Sequence, residues 1–463
     1  MKAKIKPHGL IGVALFCLAV VMLGQGREPF TTYFYSFAWW SYILAADALV
    51  YWLQGRSLIV SQTRIFLCMI PLSIFIWCIF EAFNFRLANW YYINLPPEVW
   101  MRWIGYAIAY ATVLPALCET THLIEAIRLF KAVSGRKLSP SPLLLKTSLA
   151  IGGSALLAAL LFPRFCFPLV WIGFALLIEP LLYLRGGNSL LRDIEKGESG
   201  RLLALLAAGL VCGLLWEVWN FWAQAKWIYT VPFFEEGKLF EMPLLGFLGF
   251  PPFAVSAYAI YRLLLLAMQR GRIWQRGSLW VLITLFCLLC FAGIDRNTVV
   301  SFIPLIKDLP DVQAEWKERL QKAGMEEVRD LLRWKGAGLV ALGIPDLEAE
   351  KLLRKAEMIT LKGMGIENYR LLREVGVRDL TELARQDPRD LYLRIDRQDR
   401  LQPIPQRTPF PALIRLWIRE AKKRVKVVRK DRAGAPIFLL HTVMMREGPS
   451  LFSLPPRSLS KSA

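Results

Sequence analysis

Two stretches of this chain set an ionisable acid and an amide three residues apart among aromatics. They read Phe80-Glu81-Ala82-Phe83-Asn84-Phe85 and Trp216-Glu217-Val218-Trp219-Asn220-Phe221. On a helix that spacing puts both side chains on one face, and both stretches lie in strongly apolar runs. A carboxylate in a membrane helix costs at least about 2.5–3.5 kcal/mol on insertion scales, so its default reading is functional. Asp47 and Glu179 each precede a tyrosine, Tyr51 and Tyr183, by four residues and share a helix face with it. These eight residues form the candidate intramembrane polar site. The competing reading makes each acid a protonated hydrogen-bonding glue between helices. The residue types name neither a catalytic group nor a substrate.

Other chemistry is weaker. Glu119-x-x-His122 has the ligand spacing of carboxylate-bridged di-iron sites, but such sites use two copies, and Ser256 stands at the corresponding place. His8, His122 and His441 are far apart, and all eight Cys fall in apolar stretches, Cys287-x-x-Cys290 included. No metal, cofactor or disulfide framework is expected. Paired intramembrane acids can also protonate a polyene, as in membrane lycopene cyclases, whose acidic motif has no match here.

The elements that position these residues follow from composition. Of 463 residues 55% are hydrophobic, against about 45–50% in an average soluble domain. The excess lies before Ile294. The fold class is all-α: a polytopic membrane bundle followed by a soluble helical domain. Candidate spans are Leu10–Gly24, Tyr35–Leu53, Ile65–Phe83, Trp103–Leu123, Leu143–Phe162, Phe167–Leu184, Leu202–Trp222, Pro243–Met268 and Leu279–Ile294. The net charge of +20 is partly topological. Lys2, Lys4, Lys6, Arg56, Arg64, Arg128, Lys131, Arg136, Lys137, Arg185, Arg192, Lys196, Arg201, Arg270, Arg272 and Arg276 fall on one side. That side is expected to be cytoplasmic, with the N-terminus, in the inner or plasma membrane. Nine spans then put the tail outside.

The chain also reads as duplicated. Trp39, Asp47, Tyr51, Gly55 and Ser57 match Trp171, Glu179, Tyr183, Gly187 and Ser189 at one offset. Glu81, Asn84, Phe85, Trp90 and Tyr92 match Glu217, Asn220, Phe221, Trp227 and Tyr229. Four spans per unit give parallel repeats, with Glu81 and Glu217 expected to face each other across a pseudo-twofold axis. The expected divisions are 1–138 and 139–277 for the repeats, 278–296 for a ninth helix, 297–400 for a tandem helix-hairpin-helix domain, and 401–463 for a basic helix and disordered tail. The loops after both Glu/Asn helices are aromatic and suit an interfacial belt or the rim of an outward-opening site. Residues 230–242, with Pro232, Glu235, Glu236 and Glu241, would be its lid. Gly246, Gly249, Pro251 and Pro252 are expected to interrupt the eighth span beside a cavity.

In the tail, Lys362-Gly363-Met364-Gly365 opens a helix that Gly376 ends, and Glu382-Leu383-Ala384 follows. Gly363 and Gly365 make the hairpin, where positive φ favours glycine. A degraded copy, 306–331, lacks both hairpin glycines. Over about 305–395 the chain resembles an uncharacterised tandem helix-hairpin-helix family of unknown function, which implies a compact helical fold and no activity. Tyr369, where DNA-binding versions carry a small residue, makes nucleic acid an unlikely partner. A protein partner or self-association is expected, and the basic stretch Ala412–Val427 suits an anionic surface.

The sequence therefore supports a transporter-like or lipid-handling protein whose partners are the bilayer and a lipid or small hydrophobic substrate. A membrane enzyme acting on a lipid or isoprenoid, and a membrane-anchored scaffold, remain the alternatives.

Overall fold

The apolar runs fold into helices whose ends are set by proline, serine and left-handed residues. A computed structural model describes residues 4–131, 133, 135, 137–231, 237–401 and 409–432. Arg136, Pro232, Glu235, Glu236, His441 and the Ser/Pro-rich end Pro449–Ala463 lie outside the described residues. The first part of the bundle runs α1 (Pro7–Gly24), α2 (Phe34–Gln54), α3 (Leu58–Ser61), α4 (Thr63–Leu87), β1 (Trp90–Ile93), α5 (Val99–Tyr110) and α6 (Val113–Ala126). The second runs α7 (Pro142–Leu161), α8 (Pro163–Cys166), α9 (Val170–Leu184), α10 (Leu190–Lys196), α11 (Gly200–Trp222), β2 (Lys226–Tyr229), β3 (Lys238–Leu239), β4 (Met242–Pro243) and α12 (Phe250–Arg270). α13 (Ile273–Asn297) leads into the tail.

Eight helical segments among the described residues are long and apolar enough to cross a membrane. The sequence suggests nine. The helix expected as the second, α2, has 21 residues but is diluted by Ser36, Ser41, Asp47 and several Tyr and Trp, and is less apolar than the eight. The expected fourth span is two helices, α5 and α6, counted as one segment. Ser73 mends the break: its hydroxyl donates to Tyr110 O at 2.6 Å and accepts from Leu114 N at 2.9 Å. In the expected eighth span, now the seventh segment, Leu244–Arg270, Gly246 and Gly249 fall in a 3-10 turn, Leu244–Gly249. Pro251 and Pro252 occupy the first turn of α12, where a missing N–H is harmless.

Small residues let helices touch. A Cβ on Gly9 of α1 would lie 2.3 Å from Ala48 Cβ of α2, and one on Gly152 of α7 would lie 2.5 Å from Leu177 N of α9. Close crossings of this kind are how apolar helices associate where water does not drive them together. The outward faces of α1, α7 and α13 carry exposed Leu10, Ile11, Leu143, Ile151, Leu285 and Leu289, an apolar belt suited to lipid rather than water.

The bundle has two unlike ends. At the amino end His8 meets Asp47 at 2.9 Å. At the other end Gly26 abuts Arg333 of the tail, and β1 pairs antiparallel with β2, Trp90 opposite Tyr229 and Tyr92 opposite Trp227. Residues 298–303 run along the free edge of β1, with Tyr92 N donating to Thr298 O and Val300 N to Tyr92 O. Because side chains alternate across a strand, this small platform has two faces. Trp90 and Tyr92 join the core of the bundle, while Tyr91, Ile93 and Ile228 join the core of the tail.

The tail comprises α14 (Ala314–Lys322), α15 (Val328–Ala341), α16 (Asp346–Ile359), α17 (Gly365–Glu374), α18 (Leu380–Arg385), α19 (Pro388–Leu401) and α20 (Pro411–Arg432). Gly363, Gly365 and Gly376 adopt φ of +71°, +67° and +84°. The earlier stretch keeps only part of this geometry, since Gln313, in the place of Gly365, has φ −60°. Asp311 takes φ +53° and Gly324 takes +83°, fifty-two residues before Gly363 and Gly376. Asp is among the few non-glycine residues that enter this region readily. The basic helix turns its apolar face inward: Leu413, Ile414, Trp417, Ile418 and Ala421 are buried. That face is used within the tail, and Arg424 is spent on Glu357 O and Thr360 O.

Candidate functional site

Glu81 and Asn84 share a face of α4, as the spacing requires, but serve different partners. Trp77 Nε1 at 2.8 Å, Trp90 Nε1 at 3.0 Å and the Tyr92 hydroxyl at 2.5 Å all donate to Glu81 Oε1. Asn84 Nδ2 donates to Trp90 O at 2.9 Å, and its Oδ1 accepts from Asn89 N and Trp90 N. The same pattern recurs on α11. The Tyr229 hydroxyl donates to Glu217 Oε1 at 2.8 Å. Asn220 Nδ2 donates to Trp227 O at 3.0 Å, and Trp227 N donates back to Asn220 Oδ1 at 3.0 Å. Each asparagine thus fixes the strand that follows its helix, and each glutamate holds the tyrosine two residues along that strand. Burial and the adjacent acids, Glu81 for Tyr92 and Glu217 for Tyr229, push both phenols well above their ordinary range, so they remain donors. The second oxygen of each glutamate is buried with no hydrogen-bond partner among the described residues.

Asp47 and Glu179 lie elsewhere, at the amino end. Asp47 accepts from Ile59 N at 2.7 Å, from the Ser57 hydroxyl at 2.9 Å, and contacts His8. Glu179 accepts from Leu190 N at 2.7 Å. Both acids therefore take the free N–H groups at the start of a short helix, α3 or α10, beside its serine cap Ser57 or Ser189. Lys6 lies over the ring of Tyr51 and Arg192 over that of Tyr183. The eight expected residues thus form two groups, one at each end of the bundle. Glu119 is fully buried, with neither oxygen within hydrogen-bond geometry of a partner among the described residues, and Ser256 bridges α12 to α9 through Trp171 O and Ala175 N. Among the described residues no cluster of three or more His, Cys, Asp or Glu is gathered for a metal.

Below the strand platform lies a cavity of about 150 Å³. Trp77, Trp90, Tyr92 and Tyr110 line it from the first part of the chain, and Trp171, Trp216, Trp227, Tyr229 and Phe253 from the second. Gly105, Gly246 and Gly249 line it too, and a Cβ on each would press on another lining residue, Tyr33, Met242 or Trp171. The Tyr92 hydroxyl also meets the Tyr110 hydroxyl at 2.9 Å, so a hydrogen-bonded chain runs from Glu81 to the cavity wall. Cavities of this size with apolar walls accept a benzene-sized guest. The space suits one ring or a few carbons of a longer apolar molecule.

Three features were not foreseen from the sequence. Arg102 closes one side of the cavity and pairs bidentately with Asp295, Nε to Oδ1 at 2.9 Å and Nη2 to Oδ2 at 3.0 Å. Trp103 Nε1 and the Tyr106 hydroxyl donate to the same carboxylate. Nothing in the local spacing links residues 193 apart. The hairpin 238–243 beside the cavity is fastened to the tail, because buried Glu241 accepts from Lys362 and lies 3.9 Å from Lys226. The expected lid residue Glu241 is therefore an anchor. Finally, the Gly363–Gly365 turn does not face solvent. A Cβ at Gly363 would meet Leu413 and Ile93, and one at Gly365 would meet Ser301, while Asn368 Nδ2 donates to Val300 O at 3.0 Å.

No curated protein and no solved structure matches the chain. Residues 310–424, all within the tail, match the family model described as Domain of unknown function (DUF4332).

Proposed function

We propose that this is an integral membrane protein that holds the apolar part of a lipid or small hydrophobic molecule between two repeats, under a platform clamped by the tail. The observation that carries this reading is the cavity wall, in which aromatic side chains from both parts of the chain surround one space. The repeated motif is Glu-x-x-Asn on a helix followed by Trp-x-Tyr on a strand. Its two copies share the tyrosine-to-glutamate and asparagine-to-strand hydrogen bonds, and β1 pairs with β2 symmetrically about Tyr91 and Ile228. That register is what a two-fold axis along the bundle would give. The basic amino end then faces the cytoplasm, and the platform and tail lie on the opposite side. The tail, read as tandem helix-hairpin-helix units, uses its second hairpin to grip the platform rather than a nucleic acid backbone.

Solvent extraction of the purified protein followed by mass spectrometry tests this. Wild type should release a stoichiometric apolar molecule, and Ala109→Trp, which fills the cavity, should not. Equal and trace amounts from both would remove the reading.

The hydrogen-bonded line from Glu81 through Tyr92 to Tyr110 favours one second reading, an enzyme that protonates an isoprenoid double bond. Wild type would then convert the bound molecule and Glu81→Gln would bind it unchanged, whereas a carrier would return it unchanged from both.

A further inference from the structure

A second and larger cavity, about 390 Å³, opens at the amino end of the bundle, away from the aromatic one. We propose that it binds a phosphodiester-type monoanion. The cavity lies where the two parts of the chain meet. Gln62 comes from the start of the α4 segment, His122 and Glu125 from α6, Asn188 from the turn before α10, Arg201 from α11, and Tyr258 and Arg262 from α12. Its mouth is lined by exposed Gln62, Asn188 and Gln269, and its floor by buried Met69, Cys118 and Thr121. A single water occupies about 30 Å³ in the liquid, so the space is far more than a hydration site.

Charge selects the occupant. Arg201 is already answered by Glu125 at 3.6 Å and Asp193 at 3.4 Å. Arg262, two turns inside the apolar segment Leu244–Arg270, has no ion pair among the described residues, and its guanidinium lies 5.8 Å from the Tyr258 ring. An arginine at that depth needs an anion or water to satisfy it. Arg201 and Arg262 are balanced in number by Glu125 and Asp193, but both acids sit on Arg201, so Arg262 is left without a close counter-ion among the described residues. One unanswered guanidinium fits a monoanion, and its fork fits paired phosphate oxygens. Gln62, Asn188 and the Tyr258 hydroxyl supply further donors for the remaining oxygens. A phosphodiester carries one negative charge and several acceptors. Its source is either a membrane phospholipid headgroup entering from the side or a soluble phosphate compound entering from the mouth.

The test uses the full chain purified in a neutral detergent, with thermal unfolding followed against added ligand. One arm adds phosphatidylglycerol with phosphatidylcholine as the control, and the other adds a soluble dialkyl phosphate. Stabilisation by phosphatidylglycerol alone assigns a lipid headgroup, and stabilisation by both assigns the phosphate group itself. Arg262→Gln should weaken the response at least about tenfold in midpoint concentration, and Arg262→Lys should restore part of it. Arg262 makes no ion pair among the described residues, so its loss should leave the ligand-free unfolding temperature near that of wild type. Should Arg262→Gln fold poorly, Asn188→Trp blocks the mouth independently and should abolish the response. No response in wild type, or one unchanged in Arg262→Gln and Asn188→Trp, overturns the proposal.

Discussion

Lys362 reaches from the tail to Glu241, a carboxylate buried beside the aromatic cavity of the bundle. Burial alone would raise the pKa of Glu241, but Lys362 and Lys226 outweigh it and hold the group below its ordinary value of 4.5. A depressed folded pKa gives stability that is present above the unfolded value and lost as pH falls through the folded one. Docking of the tail should therefore survive at neutral pH and weaken only below about pH 4.5. In Lys362→Met the larger counter-charge is gone and burial gains weight, so weakening should begin at a higher pH. Limited proteolysis of the tail across a pH series measures this. Identical profiles for wild type and Lys362→Met would show that the ion pair does not fasten the tail.

The two asparagine clamps give a graded prediction. Asn84→Leu and Asn220→Leu each leave a strand N–H and C=O without partners, at a cost on the order of 2–4 kcal/mol where the groups are buried. β1 is buried along its whole length, whereas β2 is mostly half-buried. Asn84→Leu should therefore lower the unfolding temperature more than Asn220→Leu. The reverse order would mean that the platform is not held through these bonds.

Glycines of the tail separate backbone strain from packing. Gly376 has φ +84° with open space around a would-be Cβ, so Gly376→Ala should cost only about 1–2 kcal/mol from the left-handed backbone. At Gly363 the same strain is joined by contacts of 3.0 Å with Leu413 and 3.2 Å with Ile93. Gly363→Val should therefore cost more and release the tail from the platform, raising its proteolytic sensitivity. Equal effects at both sites would place the turn away from the platform.

How much of this was legible in the sequence depended on distance along the chain. The paired Glu/Asn and Trp/Tyr motifs stood out because each occurs twice at matching spacing. Their roles were hidden because the donors to Glu81 include Trp90 and Tyr92, nine and eleven residues on, in a strand that aromatic loop composition did not announce. Asp47 and Glu179 read as cavity acids because a helix periodicity shows which face a residue shares, but not which end of another helix it meets. The break between α5 and α6 was invisible, since Ala111 and Thr112 carry no Gly or Pro signal and Ser73 mends it from another helix. The tail glycines were legible from residue type alone, because positive φ is a local demand. What those turns pack against was not.

Topology can be tested apart from any ligand. Met268 lies near the amino end, where Leu266 adjoins Gly187, while the tail adjoins the end that carries Gly26. Reporter fusions after Met268 and after Gly338 should mark opposite sides of the membrane, the first cytoplasmic. Two cytoplasmic signals would mean that α13 does not cross and that the tail lies inside.

The central claim is that the space between Trp77, Trp171, Trp216 and Phe253 is a binding site and not a packing defect. An experimental structure of the protein in native lipid measures this most directly. The account predicts elongated apolar density among these rings, with one end toward Tyr110 and the Glu81–Tyr92 pair. Aromatic rings collapsed to fill the space, or water alone within it, would contradict it.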